Sequence, residues 1–205
     1  METAKMTENK TNTKILKILL KDFAIKPTIT SLAKETGMSR VGIWKVLKKL
    51  KKDNLIILSP IGAGKTSTYI INLNWENPLV EKTLSLALTE DALKNQRWRV
   101  NFAELEDNVS FLILFGSVLN NPKEANDLDI ILVVKNKQSF HAVNKKILKI
   151  QQTQLKKIHN LDLTKNEFIA ELKGPNKAYL DALKKGVVLY GQENFVNFVK
   201  NLQTK

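Results

Sequence analysis

Leu114-Phe-Gly-Ser-Val-Leu-Asn-Asn-Pro-Lys-Glu-Ala-Asn-Asp-Leu-Asp-Ile-Ile-Leu-Val-Val134 decides how this chain folds. An apolar run, Phe111 to Phe115, stops abruptly at Gly116-Ser117. A spacer of nine residues leads to Asp127 and Asp129, and Asp129 opens a second apolar run. Short runs that are apolar on both faces read as buried strands. Gly116 lets another group approach the backbone closely, and Ser117 reads as the start of a short helix whose first N–H groups and hydroxyl suit phosphate. Alternate strand residues share a face, so Asp127 and Asp129 are expected together, roughly 7 Å apart at about 3.3 Å per residue. Leu128, Ile130 and Leu132 then turn the other way, into a core. Flexible carboxylates so placed suit divalent ions about 3.5–4 Å apart, one on a triphosphate and one on an attacking hydroxyl.

This pattern resembles the polymerase-β-like nucleotidyltransferase superfamily, and most of all its minimal nucleotidyltransferase branch, met mainly in archaea and bacteria. The resemblance extends over roughly residues 100–205. It includes Asn166-Glu-Phe-Ile-Ala-Glu-Leu172 and the ending Gly186-Val-Val-Leu-Tyr-Gly-Gln-Glu-Asn-Phe195. It implies an α+β domain, a small mixed sheet flanked by helices, with Gly116 and Ser117 on the nucleotide phosphates and Asp127 and Asp129 on Mg²⁺ or Mn²⁺. It also implies a third carboxylate from a neighbouring strand. Asp162, in Asn160-Leu-Asp-Leu163 after a helix expected from about Ser139 to Ile158, is the candidate for that third catalytic, metal-binding position. The other reading of Asp162 is a strand end or a turn cap. The spacer departs from the family pattern, which commonly holds an Arg-Gly and a Ser before the first Asp, and Lys123 is the candidate to replace the missing Arg on the phosphates. His141 and His159 read as surface or packed residues rather than catalysts.

Upstream, residues 1–12 read as a polar tail. Ile15, Leu16, Leu19 and Leu20 then recur at helical spacing. Pro27 ends that segment, Thr28 or Thr30 can cap a second helix, and Gly37 fits a left-handed stop. Ser39 can cap a third helix, rich in Lys. Residues 55–58 and 68–73 read as strands around a turn. Ser31-Leu-Ala-Lys-Glu-Thr-Gly-Met-Ser-Arg-Val-Gly-Ile-Trp-Lys-Val-Leu-Lys-Lys-Leu50, taken with the elements around it, resembles a winged helix-turn-helix over residues 13–74. The resemblance implies double-stranded DNA as a partner. Ser39, Arg40, Val41, Gly42 and Lys45 would sit at the end that meets base edges, and Lys48 and later lysines would meet phosphate. Lys65, at the hairpin tip, would touch an adjacent groove or backbone. A winged helix used only for protein contacts is the alternative. Trp44 reads as a core residue. Gly62-Ala-Gly-Lys-Thr66 lacks the P-loop's earlier glycine, since position 59 is Ser, and a β-like run follows it instead of a helix.

Asn74-Trp-Glu-Asn-Pro78 marks a boundary, and residues 75–106 read as a helical connector before a catalytic domain over 107–205. The connector helices could join the domains, pack on the second one or form a homodimer interface.

Charge supports this division. The 205 residues carry a formal net charge of +13. Residues 13–74 hold 12 Lys/Arg against 3 Asp/Glu, the signature of a polyanion-binding module. The chain has no Cys, which excludes disulfides and thiolate metal sites and fits a cytoplasmic location, and its two His make a multi-histidine zinc site unexpected. No apolar run approaches the roughly 20 residues of a membrane span.

The reading is a DNA-binding enzyme that moves a nucleoside monophosphate, AMP from ATP in the first instance, to a hydroxyl. The resemblance implies a protein acceptor, as in antitoxins that adenylylate a toxin partner, with a nucleic-acid 3′ end or a small molecule left open. The alternative is a catalytically inactive winged-helix transcription regulator that uses the nucleotidyltransferase fold for ligand sensing or dimerisation.

Overall fold

The computed structural model describes residues 2–22, 27–61, 68–175 and 177–204, the side chains of 2–9 and 68 excepted. The chain divides into two compact units, Met1–Ala87 with Val196–Lys205, and Leu88–Phe195. These limits differ from those expected. Trp98, Phe102 and Leu105, assigned from sequence to a connector, are buried in the core of the second unit. The C-terminal segment belongs with the first unit. There Gln203 donates through Nε2 to the Leu19 carbonyl at 2.9 Å and accepts from Trp75 Nε1 at 3.1 Å.

The first unit begins with α1 (Glu2–Lys21), α2 (Ile29–Thr36) and α3 (Arg40–Lys52). Helix α1 absorbs the polar stretch expected as a tail, because residues 2–12 hold no Gly or Pro and include good helix formers such as Ala, Glu, Lys and Met. Its apolar stripe, Ile15, Leu16, Leu19 and Leu20, is buried. Thr28 caps α2 reciprocally: its Oγ1 accepts from the Ser31 N–H at 3.2 Å, and its own N–H donates to Ser31 Oγ at 2.8 Å. Gly37 ends α2 at φ +73°. Ser39 Oγ then accepts from the Gly42 N–H at 3.1 Å and starts α3, which buries Ile43, Leu47 and Leu50 along one face. Strands β1 (Ile56–Ile61) and β2 (Thr68–Leu73) pair antiparallel, Ile56 opposite Leu73. The expected tip, with Lys65 and the Gly62-Ala-Gly-Lys-Thr66 motif, lies outside the described residues.

After α4 (Pro78–Lys94), the second unit contains α5 (Gln96–Asn101), a 3₁₀ segment (Ala103–Asn108), β3 (Val109–Phe115), a 3₁₀ turn (Ser117–Leu119), β4 (Asp127–Val134) and α6 (Ser139–Gln151). Then come β5 (Lys157–Leu163), α7 (Lys165–Lys173), α8 (Lys177–Lys185) and β6 (Val187–Tyr190), and last α9 (Gln192–Gln203), whose residues from Val196 on count with the first unit. The four strands form one sheet in the order β5-β4-β3-β6, with β4 and β5 parallel and the other pairs antiparallel. This is the expected α+β arrangement with a mixed sheet.

Both faces of the central strands are covered, as their continuous apolar runs require. Leu112, Leu114, Leu128, Ile130 and Leu132 pack with Val143, Ile147 and Ile150 of α6. On the reverse face, Phe111 lies 6.0 Å from Phe168 and 5.4 Å, edge-on, from Phe195. Helix α6 is shorter than expected. It stops at Gln151, whose side chain closes a turn by accepting from the Ile158 N–H at 2.8 Å and donating to the Lys156 carbonyl at 3.1 Å. Ile158 is therefore a strand residue, and that change of element governs what β5 presents.

Candidate functional site

Strand β3 ends at Phe115, and Gly116 turns the chain at φ +84°, ψ −164°. This conformation is open to glycine and closed in practice to other residues. A methyl group at position 116 would lie only 2.2 Å from Asp129 Oδ2. The glycine therefore creates the room in which the Asp129 carboxylate sits. Ser117 follows in an exposed 3₁₀ turn, where its carbonyl accepts from the Asn120 and Asn121 N–H groups at 3.0 and 2.9 Å. The turn is shorter than the helix expected there.

Asp127 and Asp129 stand two residues apart on β4, on the face opposite Leu128, Ile130 and Leu132. Their side chains are 41% and 29% exposed, whereas the three aliphatic residues are fully buried. Asp129 pairs with Phe115 across the antiparallel ladder, which brings it level with the start of the Gly116 turn. The pair and the turn thus meet at one edge of the sheet.

The parallel partner of β4 completes the surroundings. Register pairs Asp127 with Lys157, Asp129 with His159 and Leu132 with Asp162. Lys157 and His159 therefore share the face of the acids. His159 Nδ1 lies 3.5 Å from Asp129 Oδ1, and its Nε2 lies 3.9 Å from Asp127 Oδ1.

Asp162 is three residues beyond His159, an odd step that turns its side chain to the opposite face. It is half-buried there and accepts from Asn160 Nδ2 at 2.9 Å. Burial raises its carboxyl pKa above the usual carboxylate value, and the Asn160 hydrogen bond opposes that rise. The expectation that Asp162 joins the acid pair is thus corrected: the neighbouring strand offers His159 instead. The clue missed in the sequence was register, since taking β5 to begin only after Ile158 hid the side of the strand on which His159 lies.

Lys123 is exposed in the loop between Asn120 and Asn126, where Asn121 Nδ2 donates to Glu124 Oε2 at 2.5 Å. Lys157 is the lysine that register sets beside the acids. Among the described residues no group of three or more His, Cys, Asp or Glu is arranged to hold a metal ion.

In the first unit, Ser39, Arg40, Val41, Lys45 and Lys48 are exposed on α3, and Val41 is 67% exposed. Gly42 is partly covered and bound to the cap. Trp44, expected in the core, is only partly buried. It leans on Tyr69 of β2 at 5.4 Å between ring centroids, and Lys48 Nζ stands 5.6 Å over its ring. The reason lies in spacing: Trp44 follows the 41, 45, 48 side of the helix, whereas the buried side is 43, 47, 50. An open cavity of about 390 Å³ lies beside it, lined by Thr28, Arg40, Val41, Trp44 and Tyr69 among others.

Residues 100–194 match the family model described as Polymerase beta, Nucleotidyltransferase. The match supports a nucleotidyltransferase domain over that stretch, which takes in β3, the Gly116 turn, β4 and β5. No curated protein and no solved structure matches the chain. Among the described residues no helix is long and apolar enough to cross a membrane.

Proposed function

We propose that the second unit transfers a nucleoside monophosphate, AMP from ATP in the first instance, onto a hydroxyl, and that the first unit binds duplex DNA as a winged helix through α3. The observation that carries the reading is the joint projection of Asp127 and Asp129 beside the Gly116-Ser117 turn, within the stretch that matches the nucleotidyltransferase model.

The two partly exposed carboxylates suit Mg²⁺ or Mn²⁺, ions that protein sites commonly hold through one or two carboxylates while phosphate oxygens and water complete the shell. Asp127 and Asp129 would hold such an ion, which would supply the charge neutralisation that a triphosphate needs before a hydroxyl can attack it. Around it, Gly116 keeps the backbone clear, the Ser117 hydroxyl donates to a phosphate oxygen, and the Lys157 ammonium supplies the charge that the spacer's missing arginine would bring. The acceptor hydroxyl releases its proton to solvent as its oxygen bonds to the α-phosphorus, the α–β anhydride bond breaks, and pyrophosphate departs with the charge. Positioning and electrostatics do most of the work in such a transfer.

The acceptor is a protein hydroxyl in this reading, with a toxin partner in the cytoplasm as the first candidate. On α3, Arg40, Val41 and Lys45 would face base edges while Lys48 meets phosphate. Incubation with labelled ATP, Mg²⁺ or Mn²⁺ and co-purified protein tests the enzyme. Label should pass to a partner with the wild type and not with Asp127→Ala/Asp129→Ala. The imidazole of His159, standing where the resemblance calls for a carboxylate, favours one second reading, a DNA-binding regulator that binds nucleotide without transferring it. Nucleotide binding without transfer to any acceptor would select that reading.

A further inference from the structure

We infer that His159 is the third protein ligand of the Asp127–Asp129 site and makes it prefer a nitrogen-tolerant first-row ion, Mn²⁺, Co²⁺ or Zn²⁺, relative to Mg²⁺. The inference rests on the nucleotidyltransferase reading and names the cation class that the site takes. Ligand atoms about 2.1 Å from one ion stand roughly 3–4 Å from one another. The His159 nitrogens lie 3.5 Å from Asp129 Oδ1 and 3.9 Å from Asp127 Oδ1, inside that range. As they stand the three side chains are not arranged to hold an ion, and the two distances belong to opposite ring nitrogens, so binding requires the exposed imidazole on its edge strand to turn one nitrogen toward both carboxylates. Register fixes this neighbour, because Asp129 and His159 are paired positions in the parallel ladder. Imidazole is a poor ligand for Mg²⁺ and a good one for later divalent metals. An oxygen-only set would favour Mg²⁺, and this set does not.

The test uses the full chain with Mn²⁺ and inorganic tripolyphosphate, a nitrogen-free substitute for the nucleotide. Pulsed electron paramagnetic resonance of bound Mn²⁺ should show ¹⁴N modulation from imidazole in the wild type and none in His159→Gln. Competition binding should show the Mn²⁺-to-Mg²⁺ affinity ratio falling about tenfold in His159→Asp. Circular dichroism checks that the variants keep their fold, and the wild-type spectrum decides the point even if they do not. If Mn²⁺ binds and is lost with Asp127→Asn/Asp129→Asn, yet shows no nitrogen modulation, this inference fails while the acid-pair reading stands. If wild type binds no Mn²⁺, or binds it equally without the acids, both fail.

Discussion

Gly116→Ala is expected to weaken the second unit and disarm the acid pair together. The backbone at φ +84°, ψ −164° lies in a region that is essentially restricted to glycine, and holding another residue there costs about 1–3 kcal/mol. The added methyl meets Asp129 Oδ2 at 2.2 Å, more than an ångström inside an ordinary contact of about 3.5 Å. Either the turn opens or the carboxylate swings away, and a reacting group displaced by about 1 Å loses roughly 100-fold in rate. Urea unfolding should register an earlier transition, by about 1 M for a slope typical of a small domain. Binding of a fluorescent ATP analogue and label transfer should fall as well. Gly37→Ala provides the comparison. Its φ of +73° carries a backbone penalty of about 1–2 kcal/mol, but a methyl there has nothing within 4 Å. It should lower stability and leave nucleotide handling alone. A Gly116→Ala protein with wild-type urea midpoint and wild-type nucleotide binding would refute the argument that glycine makes room for Asp129.

Asp162→Asn should retain nucleotide binding and transfer, whereas Asp129→Asn should lose transfer by about 100-fold or more. Because the folded Asp162 carboxyl has a raised pKa, the native state holds its proton longer than the unfolded chain does. Stability therefore declines as pH rises from the ordinary carboxylate value through the raised one, and Asp162→Asn should flatten that decline in urea titrations across the window. Lys45→Ala and Lys48→Ala should each lower the slope of log affinity for duplex DNA against log salt by about 1, measured by fluorescence anisotropy; an unchanged slope would remove α3 from the phosphate backbone. Ser39→Ala, which deletes the α3 cap, should cost about 1 kcal/mol in unfolding free energy.

The strands that carry the acids were readable in advance because their signals are local. Phe111 to Phe115 and Ile130 to Val134 are continuous apolar runs, and the period of two places Asp127 and Asp129 together without any tertiary information. The Gly116 turn is equally local. What β5 contributes was not readable, since 145–163 contains both a Lys-rich helix end and a strand of mixed character. Gln151 and Lys156 carry no composition mark of a turn; their hydrogen bonds define it only in three dimensions. The partner of Asp129 depends on parallel register, a pairing between segments about thirty residues apart. An offset of one residue there exchanges His159 for Asn160 on the acid face. The extent of the first unit was hidden for the same reason, because Gln203 reaches Leu19 and Trp75 across most of the chain.

That return of the C-terminal segment governs how the molecule can be dissected. The acid-bearing unit is one uninterrupted piece of polypeptide, whereas the helix–hairpin unit combines residues 1–87 with residues 196–205. Deleting residues 196–205 would strip Trp75 of its side-chain acceptor and Leu19 of its donor, so a deletion far downstream would first harm the module proposed to read DNA. Conversely, a fragment ending at residue 87 would lack part of its own fold, and silence from it in a binding assay would say nothing about α3.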